Sequence, residues 1–185
     1  MINFTGDLID DCKLLETEIK KINLHPATNR RHINNGKAPR SCVYGYVPWS
    51  KYSNGKPRIE SQEYPGWFHS KLKTNYPFLD QIFKDFAAHH LPKDFKFTQV
   101  VVNKNFKTMK HKDAANVGRS FIVGLGDYID GDLVVVKDDK EENIDIKYRP
   151  YGFNGSDIEH FTREFTGNRY SIVWFHNSKL DNLKK

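Results

Sequence analysis

The sequence has little cysteine and no long apolar run. Its 185 residues include two cysteines, Cys12 and Cys42. They form neither a C-x-x-C pair nor a metal-ligand spacing, so we expect free thiols in a reducing compartment. No apolar stretch approaches the ~20 residues that a membrane-spanning helix needs. The first residues lack a basic region followed by an apolar run, which predicts no signal peptide. We therefore expect an intracellular, cytoplasmic protein.

Internal repeats and low-complexity segments are also lacking. Hydrophobic residues make up 38% of the chain and aromatic residues 14%, a composition typical of a globular protein. A chain of this length can bury a sizeable core. We expect one domain over residues 1–185, with a helical and substrate-loop part at 1–96, a β core at 97–177 and a tail at 178–185.

The charge is modestly positive, at +6, with a pI of about 9.2. An excess of Lys and Arg suits an anionic partner such as nucleic acid, although a lysine-rich solvated surface gives the same number. The segment 23–64 mixes basic with aromatic residues and is predicted to be a long loop with one or two short strands near 42–47. Such a mixture could contact phosphates and bases, or it could serve packing and solvation. The basic candidates are Arg30, Arg31, Lys37 and Arg40.

Helical periodicity appears in the first half of the chain. Leu8, Cys12, Leu15 and Ile19 recur at helical spacing and predict an amphipathic helix over 7–22. A second helical stretch is predicted over 66–91, broken near Pro77.

From residue 97 the pattern becomes that of short strands separated by Gly and Asp turns, which favours a sandwich or barrel. The charged run 137–142 is interpreted as a hairpin tip. Strands are predicted at 97–102, 120–125, 133–136, 144–148 and 169–175.

A candidate metal site follows the first of these strands. In His111-Lys112-Asp113 the first and third side chains point the same way in an extended chain, so both can reach one metal ion. His160, at the other end of the β region, offers a third ligand. Two histidines and one carboxylate form the facial triad of non-haem Fe(II) oxygenases. By itself H-x-D is a weak signal, because surface His and Asp two apart are common.

A candidate carboxylate anchor comes nine residues after His160. Arg169 can hold a carboxylate with two parallel hydrogen bonds, and the hydroxyl of Ser171 shares its strand face. The alternative for Arg169 is a surface salt bridge. Its place between Gly167 and an apolar strand is unusual for a solvated arginine.

These motifs together resemble the TET/JBP branch of the 2-oxoglutarate oxygenases. That branch contains the ten-eleven translocation methylcytosine dioxygenases, the thymine hydroxylases of base J synthesis and compact phage relatives. The resemblance covers roughly residues 97–177 and rests on H-K-D, on Asn116 three residues after the Asp, on the run 118–126, and on His160 followed by R-Y-S-I-V-W-F. It implies an α+β fold with a double-stranded β-helix (distorted jelly roll) core behind N-terminal helices.

The resemblance also implies roles for single residues. His111, Asp113 and His160 match the iron ligands, and Arg169, assisted by Ser171, matches the residue that binds the distal carboxylate of 2-oxoglutarate. Three further positions match residues that contact a flipped or single-stranded base: Asn116, Phe175 and Asn177.

The resemblance implies oxidation of the 5-methyl group of a pyrimidine in nucleic acid, and we expect DNA in preference to RNA. The reaction would use Fe(II), 2-oxoglutarate and O₂. Asn177 stands where the methylcytosine enzymes place a His, which leaves the choice between 5-methylcytosine and thymine open.

Two other functions use the same motifs. A protein hydroxylase of the prolyl type shares H-x-D and the distal His, so the metal ligands do not separate the two substrates. A catalytically silent jelly-roll binding module is the other; retention of all three ligands and of Arg169 argues against it. The remaining histidines form no second ligand set: His25, His32, His69, His89, His90 and His176.

Overall fold

Helices cover one face of the main sheet. The computed structural model describes residues 2–27, 33, 39–48, 52–53 and 56–183. Helix α1 spans Leu8–Lys20, begins at an Asp7 side chain that accepts from the Asp10 amide, and packs against α3. Two shorter helical segments complete this layer: α2 at Lys71–Asn75 and α3 at Leu79–His90, with a 3₁₀ helix at Ser178–Leu183 near the end of the chain.

The strands form two principal antiparallel sheets. The strands are β1 Arg40–Tyr44, β2 Tyr46–Val47, β3 Tyr52–Ser53, β4 Lys56–Pro57, β5 Phe68–His69, β6 Gln99–Lys104, β7 Ser120–Gly126, β8 Ile129–Asp130, β9 Leu133–Lys137, β10 Lys140–Ile144, β11 Tyr151–Phe153, β12 Glu159–Thr162, β13 Phe165–Thr166 and β14 Arg169–Phe175. The larger sheet has the order β1-β6-β14-β7-β11, and the smaller has the order β10-β9-β12. Three two-stranded ribbons pair β13 with β8, β2 with β5, and β3 with β4.

Alternation along the strands of the larger sheet separates two cores. On β14, Tyr170, Ile172 and Trp174 join the core that the helices cover, and the Trp174 ring stacks on Phe86 of α3. The intervening residues of β14 face the other way, towards the smaller sheet, because successive side chains of a strand point to opposite faces. A second core lies on that inner face and contains Ile122, Leu133, Val135, Ile146 and Phe153.

Most of the predicted elements are confirmed, with two corrections. The helix at 7–22 and the strand at 169–175 are present. The helical stretch does not begin at residue 66: Phe68–His69 is a strand that pairs with Tyr46–Val47, a nonlocal contact that helical periodicity does not reveal. The strand predicted at 144–148 is also wrong.

The strand of that region is β10, Lys140–Ile144, which pairs with β9. Its first four residues, Lys140 to Asn143, are exposed, so it carries no apolar alternation and was taken for a hairpin tip. The turn itself is confined to Asp138 and Asp139, both at positive φ. Ile146 is buried in the inner core but lies outside the strand. Among the described residues, no helix is long and apolar enough to cross a membrane.

Candidate metal centre and cavity

Three predicted ligands converge at one end of the space between the two sheets. His160 lies on β12, and its backbone exchanges two hydrogen bonds with His111, at 3.1 and 2.9 Å. The Asp113 amide donates to the Gly155 carbonyl at 2.8 Å, which holds the carboxylate on the same side. One ligand atom from each of the three residues lies within 4.8 Å of the others, so the group could hold a metal ion.

Both imidazoles are oriented by backbone carbonyls. The Nδ1 atom of His111 lies 2.7 Å from the Met109 carbonyl oxygen, and that of His160 lies 3.0 Å from the Ile158 carbonyl oxygen. A carbonyl oxygen only accepts, so in the neutral imidazole each Nδ1 carries the proton and each Nε2 carries the lone pair. This is the arrangement that typically orients metal-binding histidines.

The carboxylate of Asp113 lies between the two Nε2 atoms. Its Oδ1 is 3.7 Å from Nε2 of His111, and its Oδ2 is 3.8 Å from Nε2 of His160. Gly155 leaves room for it, because a Cβ there would lie 2.6 Å from Oδ2. The Asn116 Nδ2 donates to the same Oδ2 at 2.9 Å. The donor set of two imidazoles and one carboxylate fits Fe(II) with positions left open.

A cavity of about 310 Å³ opens directly from this group. Its walls come from both sheets and from the segment that follows Asp113. All three predicted base-contacting residues line it, as do the three metal-competent residues and Ser171. The lining residues are Ser41, Val43, Gln99, Val101, Asn103, Phe106, Thr108, His111, Asp113, Ala114, Ala115, Asn116, Ile122, Leu133, Phe153, His160, Thr162, Ser171, Val173, Phe175 and Asn177.

Arg169 lies beyond this lining, two residues from Ser171 on the same face of β14. It is 2% exposed, and burial lowers the pKa of its guanidinium. Its Nε donates to the Gly131 carbonyl at 3.1 Å, and its Cζ lies 5.3 Å from the ring centroid of Tyr128. Among the described residues, no carboxylate comes within ion-pair distance of it. The surface salt bridge considered for Arg169 is therefore excluded for this part of the chain, where Asp132 raises the pKa of the guanidinium without forming an ion pair with it.

Tyr128 has a buried hydroxyl beside this arginine. The residue is 3% exposed, and burial raises its pKa to about 12, although the nearby Arg169 charge acts to lower it. No group among the described residues forms a hydrogen bond of good geometry with the hydroxyl, although the Arg169 guanidinium lies beside it and is a candidate donor to it. It occupies the place that a Cβ of Gly124 would take. Gly124 pairs with Ser171 across the sheet, so the Tyr128 hydroxyl lies next to the wall of the cavity.

A row of polar side chains continues from Ser171 into the neighbouring strands. The Asn103 Nδ2 donates to the Ser171 hydroxyl at 3.1 Å, and the Ser41 hydroxyl donates to the Asn103 Oδ1 at 2.7 Å. Asn103 and Tyr128 were not predicted from the sequence as site residues, and Gly124 was noted only as part of the run 118–126. Gly124 was the sequence feature that could have revealed the position of Tyr128, because a glycine inside an apolar strand often marks the close approach of another group.

The predicted base-contacting residues are held in defined orientations. The Nδ2 of Asn177 donates to the Gln99 Oε1 at 3.0 Å, while its Oδ1 accepts from the Lys179 amide at 3.0 Å. The Gln99 side chain donates in turn to the Tyr46 carbonyl. Phe175, 7% exposed, faces the cavity from β14.

The basic loop residues are only partly described. Arg30, Arg31 and Lys37 lie outside the described residues. Arg40 is half-buried on β1, and its Nη1 donates to the Leu24 carbonyl at 2.5 Å, so it serves the packing of the loop. Among the described residues, the other histidines join no metal-competent group.

No protein-family model matches the sequence, and no curated protein matches it. Solved structures do. An oxidoreductase of the 2OG-Fe(II) oxygenase family from Burkholderia pseudomallei matches with a TM-score of 0.55 and 13% identity, over 90% of this chain and 77% of that one. NgTET1 in complex with 5mC DNA matches with a TM-score of 0.55 and 11% identity, over 96% of this chain and 70% of that one.

A prolyl-4-hydroxylase from Pseudomonas putida matches with a TM-score of 0.47 and 14% identity, over 94% of this chain and 89% of that one. At such identities the likenesses to the first two structures establish the fold. The chain has the mixed fold of the 2OG-Fe(II) oxygenases, mostly antiparallel strands with few helices, and the predicted α+β jelly-roll class is confirmed.

Proposed function

We propose that this protein is an Fe(II)- and 2-oxoglutarate-dependent dioxygenase that oxidises the 5-methyl group of 5-methylcytosine in DNA. The observation that carries the proposal is the convergence of His111, Asp113 and His160 at the cavity, with both Nε2 lone pairs oriented in advance. When bound, Fe(II) with 2-oxoglutarate and O₂ supplies oxidation of an unactivated C–H bond. The protein's residues must then position the co-substrate and one methyl group.

The co-substrate end is assigned to Arg169, Ser171 and Tyr128. The far carboxylate of a dicarboxylate would form an ion pair with the buried guanidinium and would accept a hydrogen bond from the Tyr128 hydroxyl. Ser171 links this end to the cavity wall. A buried cation and a buried donor, neither of which contacts a carboxylate among the described residues, fit the far carboxylate of 2-oxoglutarate.

The choice of cytosine over thymine follows from the hydrogen bonds of Asn116. An ionised Asp113 only accepts, so the amide of Asn116 must turn its nitrogen towards it. The second Nδ2 proton is directed at the Ser120 hydroxyl, at 3.2 Å. Oδ1 is thus the atom left for a ligand. It can accept a hydrogen bond from the 4-amino group of cytosine, whereas thymine presents an acceptor there.

The geometry of a pyrimidine makes this the relevant edge. The 4-substituent of a pyrimidine is next to the 5-methyl group. When the methyl group faces the metal, the 4-substituent therefore lies close to residues that adjoin the metal ligands. Asn116 is such a residue, because it is hydrogen-bonded to Asp113. Asn177 lies across the backbone bridge from Asn116 and keeps one Nδ2 proton that can serve the ring nitrogen or O2. Phe175 offers an apolar surface for stacking.

The target base must leave the duplex or be single-stranded to enter such a cavity, at a cost of a few kcal/mol. The fold is shared with NgTET1, which was solved with 5mC DNA, and the excess of positive charge suits the same class of ligand. Both the shared fold and the positive charge support the proposal. A prolyl-type hydroxylase would need the same three metal ligands, so the substrate has to be tested directly.

Mass spectrometry of nucleosides tests it. The protein is incubated with Fe(II), 2-oxoglutarate and matched oligonucleotides that carry either 5-methylcytosine or thymine at one position. We expect oxidised 5-methylcytosine, little oxidised thymine, and neither with Asp113→Ala. Preferential oxidation of thymine would contradict the orientation of Asn116. Oxidation of a proline-rich peptide with no change to either base would identify a protein hydroxylase.

A further inference from the structure

A second concave surface lies beside the cavity, with a volume of about 380 Å³. It is formed by the turn between α3 and β6, by the segment after Asn116 and by the residue after β14. We call it the basic groove. Its lining residues are Pro92, Asp94, Phe95, Lys96, Val117, Arg119, Phe121 and His176.

The basic groove and the cavity share a wall. Asn116 and Asn177 form an isolated antiparallel bridge, and the Val117 amide donates to the His176 carbonyl at 3.0 Å. Successive residues of an extended chain face opposite sides. Accordingly, Asn116 and Asn177 line the cavity, while Val117 and His176, their neighbours in the chain, line the basic groove.

Two cations of the basic groove are available to a ligand. Lys96 and Arg119 are exposed, and neither has an ion-pair partner among the described residues. The Arg119 guanidinium lies 5.9 Å from the ring centroid of Phe121, in a cation–π contact. Asp94 is the carboxylate that lines the groove, and His176 is already paired with Asp181.

Aromatic surface adjoins these cations. Phe95 is half-buried and packs edge to face against the Phe121 ring, with the two ring centroids 4.6 Å apart. Val117, at the shared wall, is 45% exposed. Cations beside aromatic and apolar surface match a nucleotide strand, whose phosphates are anionic and whose sugars and bases are less polar. A fully solvated anion would gain nothing from the apolar wall.

We propose that the basic groove holds the backbone of the DNA strand next to the target base, with phosphates on Lys96 and Arg119. The proposal rests on the proposed function, since a base between Asn116 and Phe175 fixes where its strand runs. Consecutive Cα atoms are 3.8 Å apart, so Val117 brings the groove within one residue of Asn116. The phosphates that flank an inserted base are therefore within reach of the two cations.

The test uses the salt dependence of binding. A labelled single-stranded oligonucleotide with one 5-methylcytosine is titrated with Mn(II)- and 2-oxoglutarate-loaded protein, and anisotropy is followed from 50 to 200 mM salt. Each phosphate contact contributes a slope of about 0.7 for single strands, so Lys96→Gln with Arg119→Gln should reduce the slope by about 1.4. The affinity advantage of the wild type should therefore shrink about 7-fold across that range.

The matched control removes one Lys and one Arg elsewhere, with Lys140→Gln and Arg149→Gln, both exposed and outside the cavity and the groove. It should keep more of the wild-type slope than the groove variant. Unchanged melting temperature and unchanged 2-oxoglutarate affinity show that the groove variant is folded and loaded.

Equal salt-dependence slopes for the groove variant and the control would refute the proposal that the basic groove binds the DNA backbone. The proposed function would then be unaffected. A wild type that binds no DNA but binds a glutamate-rich peptide through Lys96 and Arg119 would overturn both.

Discussion

Replacing Tyr128 by phenylalanine is expected to raise the stability of the ligand-free protein while weakening its binding of 2-oxoglutarate. The hydroxyl is buried and forms no hydrogen bond of good geometry with any group among the described residues. A buried polar group without a partner costs about 1 to 3 kcal/mol. For a chain of this length, each kcal/mol corresponds to about 2 to 4 °C of melting temperature. Tyr128→Phe should therefore melt several degrees later than the wild type.

The effect on the co-substrate has the opposite sign. A hydrogen bond to a charged group contributes about 1.5 to 3 kcal/mol, so its loss should weaken 2-oxoglutarate binding by roughly one to two decades. Calorimetry on the Mn(II)-loaded protein measures this without turnover. 2-Oxobutyrate, which lacks the distal carboxylate, is the control ligand, and its affinity should be the same in wild type and variant.

Two outcomes would refute this reasoning. A Tyr128→Phe protein that is less stable than the wild type would mean that the hydroxyl has a partner in the ligand-free protein. An equal loss of affinity for 2-oxoglutarate and 2-oxobutyrate would mean that Tyr128 does not contact the distal carboxylate. Gly124→Ala offers a second check, because its Cβ would occupy the place of the hydroxyl and Tyr128→Phe should partly relieve the clash.

Three further predictions concern other sites. Arg169→Ala should weaken 2-oxoglutarate binding by about 2 to 5 kcal/mol and Arg169→Lys by less, since lysine lacks the planar fork; equal binding by calorimetry would contradict the assignment. Phe175→Ala should lose one to two decades of DNA affinity and keep 2-oxoglutarate binding; early melting with unchanged activity per folded molecule would instead make Phe175 a core residue. For Asp11, burial acts to raise the pKa, but hydrogen bonds from Thr5, His90 and Gly6 leave it lowered, so its stabilisation is present above pH 3.8 and lost as pH falls through the folded value. Urea denaturation at pH 7 should therefore give Asp11→Asn a free energy of unfolding about 1 to 3 kcal/mol below that of the wild type. In acid the two free energies of unfolding should approach each other.

The long elements and the candidate metal ligands could be predicted from the sequence. The helix α1 and the strand β14 were predictable because their apolar residues recur at helical and alternating spacing over many residues. His111, Asp113 and His160 were recognisable as candidate metal ligands because few residue types bind Fe(II), and H-x-D places two of them on one side of an extended chain. Arg169 stood out as a charge at the start of an apolar strand.

Contacts between distant parts of the chain could not be predicted from the sequence. The strand Phe68–His69 and the exposed strand β10 exist through pairing with remote segments, and a short run carries too little periodicity to reveal that. The surroundings of the Tyr128 hydroxyl and the orientation of the Asn116 amide depend on which groups the fold brings within hydrogen-bond distance. Such contacts form between residues far apart in sequence, so periodicity and spacing do not reveal them. The proposed binding of 2-oxoglutarate and 5-methylcytosine rests on these contacts.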